Sequence, residues 1–103
     1  MLKLLWQLLF VYFLLTKYII TYHMRQIEKM RQIGKRIRGR REELGYSMQD
    51  VIDKMPSSSM RTRAGFCQVE LGLRKIDVYF LLQLAEVLEV DFCFLVFGKK
   101  CSG

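Results

Sequence analysis

Between Leu4 and Tyr22 the chain is apolar except at Gln7, Thr16, Lys17 and Thr21. Nothing else in the sequence limits the fold so sharply. As a helix rising about 1.5 Å per residue, this stretch reaches roughly 28 Å, close to the hydrocarbon thickness of a bilayer. Trp6 near one end and Tyr18 and Tyr22 near the other suit the two interfaces, and Lys17 stands near enough to an end to reach headgroups. No small-residue cleavage site comes after it, which argues for an anchor over a removable signal. Residues 23–41 are dense in Lys and Arg, so the positive-inside rule places the rest of the chain in the cytoplasm, tethered to the inner membrane through residues 2–22. Two further readings fit the same residues. The stretch is an upstream extension ahead of a start at Met24 or Met30, or an apolar helix packed inside an oligomer.

The remaining chain has room for one domain, given 103 residues in all. An apolar fraction of 51% with a single proline favours helices over a β-sandwich of short alternating strands. The net charge of +7 is uneven: residues 23–45 hold eight Lys/Arg against Glu28, Glu42 and Glu43, whereas residues 77–98 hold Asp77, Glu86, Glu89 and Asp91 with no base. A cationic middle and an acidic last third suit a polyanionic partner, nucleic acid or an anionic membrane surface. Cys67, Cys93 and Cys101 form no C-x-x-C pair, so neither a zinc site nor a disulfide framework is expected and the chain reads as cytosolic. His23, the one histidine, reads as an ordinary flanking residue.

From Met24 the pattern turns amphipathic, with Ile27, Met30, Ile33, Ile37 and Leu44 at helical spacings, and Gly45 is placed to end that helix in the left-handed conformation. Ser47 followed by Asp50 reads as an N-cap with a weak capping box for a helix from Met48 to Met55, which Pro56 stops. Thr62 caps a third helix through Leu71, closed by Gly72. Asp77 and Asp91 cap two more, the first with a broad apolar face and the second running from Phe92 to Phe97 before Gly98. Ile37, Val51, Ile52, Phe66, Val69, Leu81, Leu84, Ala85, Leu88, Val90 and Leu95 form the expected core.

Three stretches, in order, resemble the lambda-repressor-like, Cro-type (XRE) helix-turn-helix family. They are Ile33-Gly34-Lys35-Arg36-Ile37-Arg38-Gly39-Arg40-Arg41-Glu42-Glu43-Leu44-Gly45, then Val69-Glu70-Leu71-Gly72 with Arg74 and Lys75, then Leu82 to Asp91 with Leu95 and Gly98. The resemblance implies an all-α fold: a compact five-helix lambda-repressor-like DNA-binding bundle preceded by an N-terminal hydrophobic helix. It divides the chain into a hydrophobic segment over 1–23, a helix-turn-helix domain over 24–98 and a polar tail over 99–103.

It further implies that the helix from Thr62 to Leu71 enters the major groove of double-stranded DNA while the helix before it crosses the phosphate backbone. Arg63, Ala64 and Gln68 then face base edges, and these residue types suit guanine, the thymine methyl and adenine respectively. Ser47, Arg61, Arg74 and Lys75 fall to phosphates, which supply affinity without sequence choice. Arg41 and Glu70 correspond to an internal salt bridge that holds the third helix in place.

The chain departs from the family pattern at several points: Met48 stands where Gln is usual, Gly39 lies inside the first helix, Arg40 takes an often apolar position, and Glu89 replaces a common Gly. The segment from Pro56 to Arg61 is longer than the usual tight turn. The expected function is a sequence-specific transcriptional regulator acting as a homodimer, with Phe92, Phe94 and Phe97 as a candidate dimer surface. A membrane-tethered protein-interaction module and the antitoxin of a toxin pair are the alternatives. No phosphate-cradling glycine loop, nucleophile elbow or metal-ligand cluster points to an enzyme or a cofactor.

Overall fold

The computed structural model describes residues 2–56 and 62–100. Five helices and no strand occur among them: α1 (Leu2–Glu43), α2 (Met48–Lys54), α3 (Arg63–Glu70), α4 (Val78–Val87) and α5 (Phe92–Phe97). The segment expected to lengthen the turn between α2 and α3, including Arg61, lies outside the described residues apart from Pro56.

The two helical stretches expected on either side of His23 are one helix. No proline and no glycine falls between Leu2 and Ile33, so nothing breaks the hydrogen-bond ladder where the side chains change from apolar to basic. A 42-residue helix is about 63 Å long, and the described chain is extended rather than compact, measuring 65 × 36 × 21 Å. The first part of this rod touches nothing, and its most apolar window is fully outside the packed core. Within it the Thr16 hydroxyl donates to the Tyr12 carbonyl at 2.8 Å, and the Lys17 ammonium lies 5.1 Å from the centre of the Phe13 ring.

The bundle gathers around the far third of the rod. Ile33, Gly34, Ile37, Arg41 and Leu44 recur on one face of α1 and its turn, and α2 to α5 pack there around Phe66, Ile37, Leu84, Leu88 and Leu95. Met55, the C-cap of α2, joins this core, whereas Val90 is only half-buried at its edge. Each turn has a local chemical cause. Gly45 at φ 73° closes α1 with Gly45 N–H donating to the Glu42 carbonyl and Tyr46 N–H to the Arg41 carbonyl, the paired bonds of a Schellman motif. Gly72 at φ 74° ends α3 the same way, through Val69 and Gln68. The side chains of Ser47, Thr62, Asp77 and Asp91 accept from backbone N–H groups and cap α2, α3, α4 and α5. Cys67 is a free thiol. Cys93 is disulfide-bonded, which corrects the expectation of no disulfide: an odd cysteine count still accommodates one pair.

Candidate nucleic-acid interface

α3 divides cleanly into two faces. At 100° per residue Gly65, Phe66, Val69 and Glu70 fall on one side and are buried, while Arg63, Ala64, Gln68 and Leu71 fall on the other and are exposed, with Cys67 half-buried between them. The alternation of small, aromatic and β-branched residues on the inner side sets the helix against the core, and this turns Arg63, Ala64 and Gln68 outward together.

Two contacts with α1 fix the C-terminal half of α3. Gly34 approaches so closely that a β-carbon there would fall on the Glu70 carbonyl; only glycine permits the two backbones to meet. The second contact is a buried ion pair. Arg41 Nε donates to Glu70 Oε1 at 2.6 Å and Nη2 to Oε2 at 3.3 Å, while Nη1 donates to the Tyr46 carbonyl at 2.9 Å. The guanidinium therefore ties the end of α1, the start of the turn into α2, and α3 into one unit, in the two-pronged geometry that suits arginine and not lysine.

Arg36, Arg40 and Arg38 of α1 also have specific partners. Arg36 Nη1 donates to the carbonyls of Leu95 and Val96, at 3.1 and 3.0 Å. Arg40 Nε donates to the Leu88 carbonyl at 2.9 Å and Nη2 to that of Glu89 at 3.3 Å. Each arginine thus satisfies carbonyls at the C-terminal end of a helix, where the dipole also favours a cation. The partners of these two arginines lie 48 to 60 residues away in the chain, and no local pattern announces them. Arg38 is bound by Glu42, Nε to Oε1 at 3.0 Å, and this hydrogen bond, followed by the carboxylate's charge, raises its pKa above the ordinary arginine value. Lys35 stays exposed.

Ser47 is exposed at the start of α2, its hydroxyl oxygen accepting from Asp50 N–H at 3.1 Å while its own N–H donates to Asp50 Oδ2 at 2.8 Å. The two bonds form a capping box. Donation by the Ser47 backbone N–H, then by its hydroxyl, holds the Asp50 carboxyl below its usual pKa. The cap places a carboxylate beside the hydroxyl assigned to a phosphate. Met48 is half-buried against the core, so an exposed polar contact is absent at that position.

Arg74 and Lys75 are exposed, but they come after α3 rather than lie on its outward face. They belong to the connection between Gly72 and Asp77, which returns along α1. Lys75 and Ile76 share a groove of about 520 Å³ with Tyr22, His23, Gln26 and Ile27. Of the residues assigned to DNA, the fold therefore groups Arg63, Ala64 and Gln68 on one face, sets Ser47 at the start of α2, leaves Arg74 exposed beyond α3, and places Lys75 on a groove alongside α1. No protein-family model, no curated protein and no solved structure matches the chain.

Proposed function

We propose that the chain is a sequence-specific DNA-binding regulator of the lambda-repressor-like, Cro-type class, its helix-turn-helix bundle carried on a membrane-embedded rod. The observation that carries the DNA reading is the division of α3. One side is locked by Gly34 and by the Arg41–Glu70 pair, and the other offers a guanidinium, a methyl and a carboxamide to the outside. A helix used for base readout needs this combination, because discrimination of about 1–3 kcal/mol per bidentate contact depends on side chains held in register with the groove. Arg63 reads guanine and Gln68 reads adenine. The half-exposed Phe94 and the exposed Phe97 at the end of α5 are the proposed contact between two copies on a two-fold site.

The membrane reading rests on a separate observation. Among the described residues one helix is long and apolar enough to cross a bilayer, and its large side chains from Leu2 to Tyr22 stand exposed. An apolar surface of this kind, interrupted only at Lys3, Gln7, Thr16, Lys17 and Thr21, is not stable in water, and the bases beyond it favour the cytoplasmic side for the bundle.

Selection of bound sites from random duplexes, using the full chain in detergent, tests the DNA reading. A motif should emerge; Arg63→Ala and Gln68→Ala should each relax preference at one position at about 1–3 kcal/mol. If no motif emerges, or if both variants bind every selected duplex as the parent does, α3 is not a readout helix. Retention of the full chain in the membrane fraction after a high-salt wash tests the anchor.

A further inference from the structure

The end of the bundle nearest the apolar rod carries cations and bare apolar side chains that neither the core nor the outward face of α3 employs. Gly72 lies against Arg31, whose Cα would be 2.6 Å from a β-carbon at that position. From there the chain runs toward the apolar part of the rod, so that by Lys75 and Ile76 it shares a groove with Tyr22 and His23. The groove runs along α1 from Tyr22 to Ile33 and is closed on the bundle side by Lys75, Ile76 and the core residue Leu81. Its lower lip, Tyr22 and His23, is the aromatic boundary of the apolar stretch, in the layer that headgroups occupy if the rod spans the membrane.

Three of the most exposed apolar side chains of the bundle lie on this segment: Leu73 at 73%, Val78 at 62% and Tyr79 at 69%. Arg74 and Lys75 stand among them. On the rod alongside this groove, between Tyr22 and Ile33, stand Arg25, Lys29 and Arg31. The acids there are occupied, Glu28 pairing with Arg31 at 3.4 Å and Asp77 accepting from Phe80 N–H at 2.6 Å. Glu42, Glu43, Glu86, Glu89 and Asp91 belong to the opposite end, beside Arg40 and the last turns of α1 and α4.

Taking the membrane-spanning reading of the rod as its basis, we infer that the segment from Leu73 to Tyr79 docks on an anionic phospholipid surface, with Leu73, Val78 and Tyr79 entering the interface and Arg74 and Lys75 on lipid phosphates. This changes the role of the two cations from holding a duplex to holding the bundle down. It leaves the readout face of α3 to Arg63, Ala64 and Gln68. Charge complementarity and continuity with the apolar rod both select lipid as the occupant.

The experiment uses the full chain in vesicles that contain phosphatidylcholine brominated near the top of its acyl chains, with or without phosphatidylglycerol. Trp6 is the one tryptophan, so the unaltered chain reports on the rod, and Trp6→Phe combined with Leu73→Trp reports on the docking segment. Leu73 is exposed, and its replacement leaves the core untouched. Fluorescence from position 73 should be quenched when phosphatidylglycerol is present and recover in phosphatidylcholine alone. Arg74→Glu and Lys75→Glu should each lower the ratio of docked to undocked bundle at least about fivefold. Quenching of Trp6 without quenching at position 73 overturns the docking and leaves the anchor standing. An unquenched Trp6 overturns both. Should the two charge reversals weaken binding to the selected duplex while leaving the quenching at position 73 unchanged, the cations serve DNA and the inference fails.

Discussion

Gly34 of α1 and Glu70 of α3 meet backbone to backbone: a β-carbon on Gly34 would lie 2.7 Å from the Glu70 carbonyl carbon and the same distance from the Val69 carbonyl oxygen. Gly39, five residues along the same helix, has nothing within 4 Å of that position. Replacing either glycine by alanine removes the same cost of glycine in a helix, about 1 kcal/mol. Only at Gly34 does the added carbon force the two helices apart. Gly39→Ala should therefore stabilise the bundle by up to about 1 kcal/mol, and Gly34→Ala should destabilise it by about 1–3 kcal/mol. Urea unfolding of the full chain in mild detergent, monitored by circular dichroism, reads both, and equal effects would mean that the close approach does not exist in solution.

The pair formed by Arg41 and Glu70 is the charged counterpart of that contact. Both side chains are almost entirely buried, at 11% and 2% exposed, so removing one partner strands the other in a medium that solvates it poorly. Glu70→Gln should cost about 3–5 kcal/mol, whereas Arg41→Met with Glu70→Leu should cost much less, since an apolar pair of similar volume needs no solvation. The comparison is made by the same unfolding measurement. The double variant also separates stability from the proposed function: if it folds and its selection from random duplexes matches that of the parent, the ion pair has no part in aiming α3.

Much of the helical layout was legible because it is written in local chemistry. Ser47, Thr62, Asp77 and Asp91 stand where helices begin, and Gly45, Gly72 and Gly98 where they end with positive φ. Phe66 and Leu84 fall at spacings that only an inward face explains. Two features were not legible. The change from apolar to basic at His23 looks like a boundary in composition, yet a helix stops for want of backbone bonds and not for a change of side chains, and so α1 passes through it. The roles of Arg36 and Arg40 depend on helix ends that approach only after the chain has folded. The outward set of α3 lies between these cases: exposure of Arg63, Ala64 and Gln68 is a consequence of periodicity, but the place of Lys75 on a groove alongside α1 needs the course of the whole connection.

Glu89 ends α4 at φ 56°, the one non-glycine residue with positive φ among those described. Its N–H donates to the Glu86 carbonyl and the N–H of Val90 to that of Ala85, the same closure that Gly45 and Gly72 make without a side chain. A β-carbon in this conformation costs about 1–2 kcal/mol. Glu89 also shares a groove with Glu43 and Asp91. Glu89→Gly should therefore raise stability by about 1 kcal/mol, a gain of roughly 4–8 °C in Tm for a bundle of this size, while Glu89→Ala, which keeps the β-carbon, should give little of it. Thermal unfolding of the two variants beside the parent decides whether the backbone or the charge is the cause.

Asp50 gives the fold a dependence on acid whose sign is set by its cap. The Ser47 backbone N–H, and then its hydroxyl, hold the Asp50 carboxyl below its ordinary value in the folded chain, and unfolding releases it to about 3.9. Below that ordinary value the unfolded chain binds more protons than the folded one, so stability rises with pH across the interval between the two. The contribution is complete above about pH 4 and disappears as the pH falls through the folded value. Asp50→Asn removes the titrating group and should be less stable than the parent near neutrality, with the gap closing as the pH falls from about 4 through the lower folded value. Urea midpoints of both chains across that range provide the measurement. A gap that stays constant into acid would mean that the carboxylate is not what fastens Ser47 to the first turn of α2, and Ser47→Ala, which removes the other half of the box at a cost of about 1 kcal/mol, would then be expected to act alone.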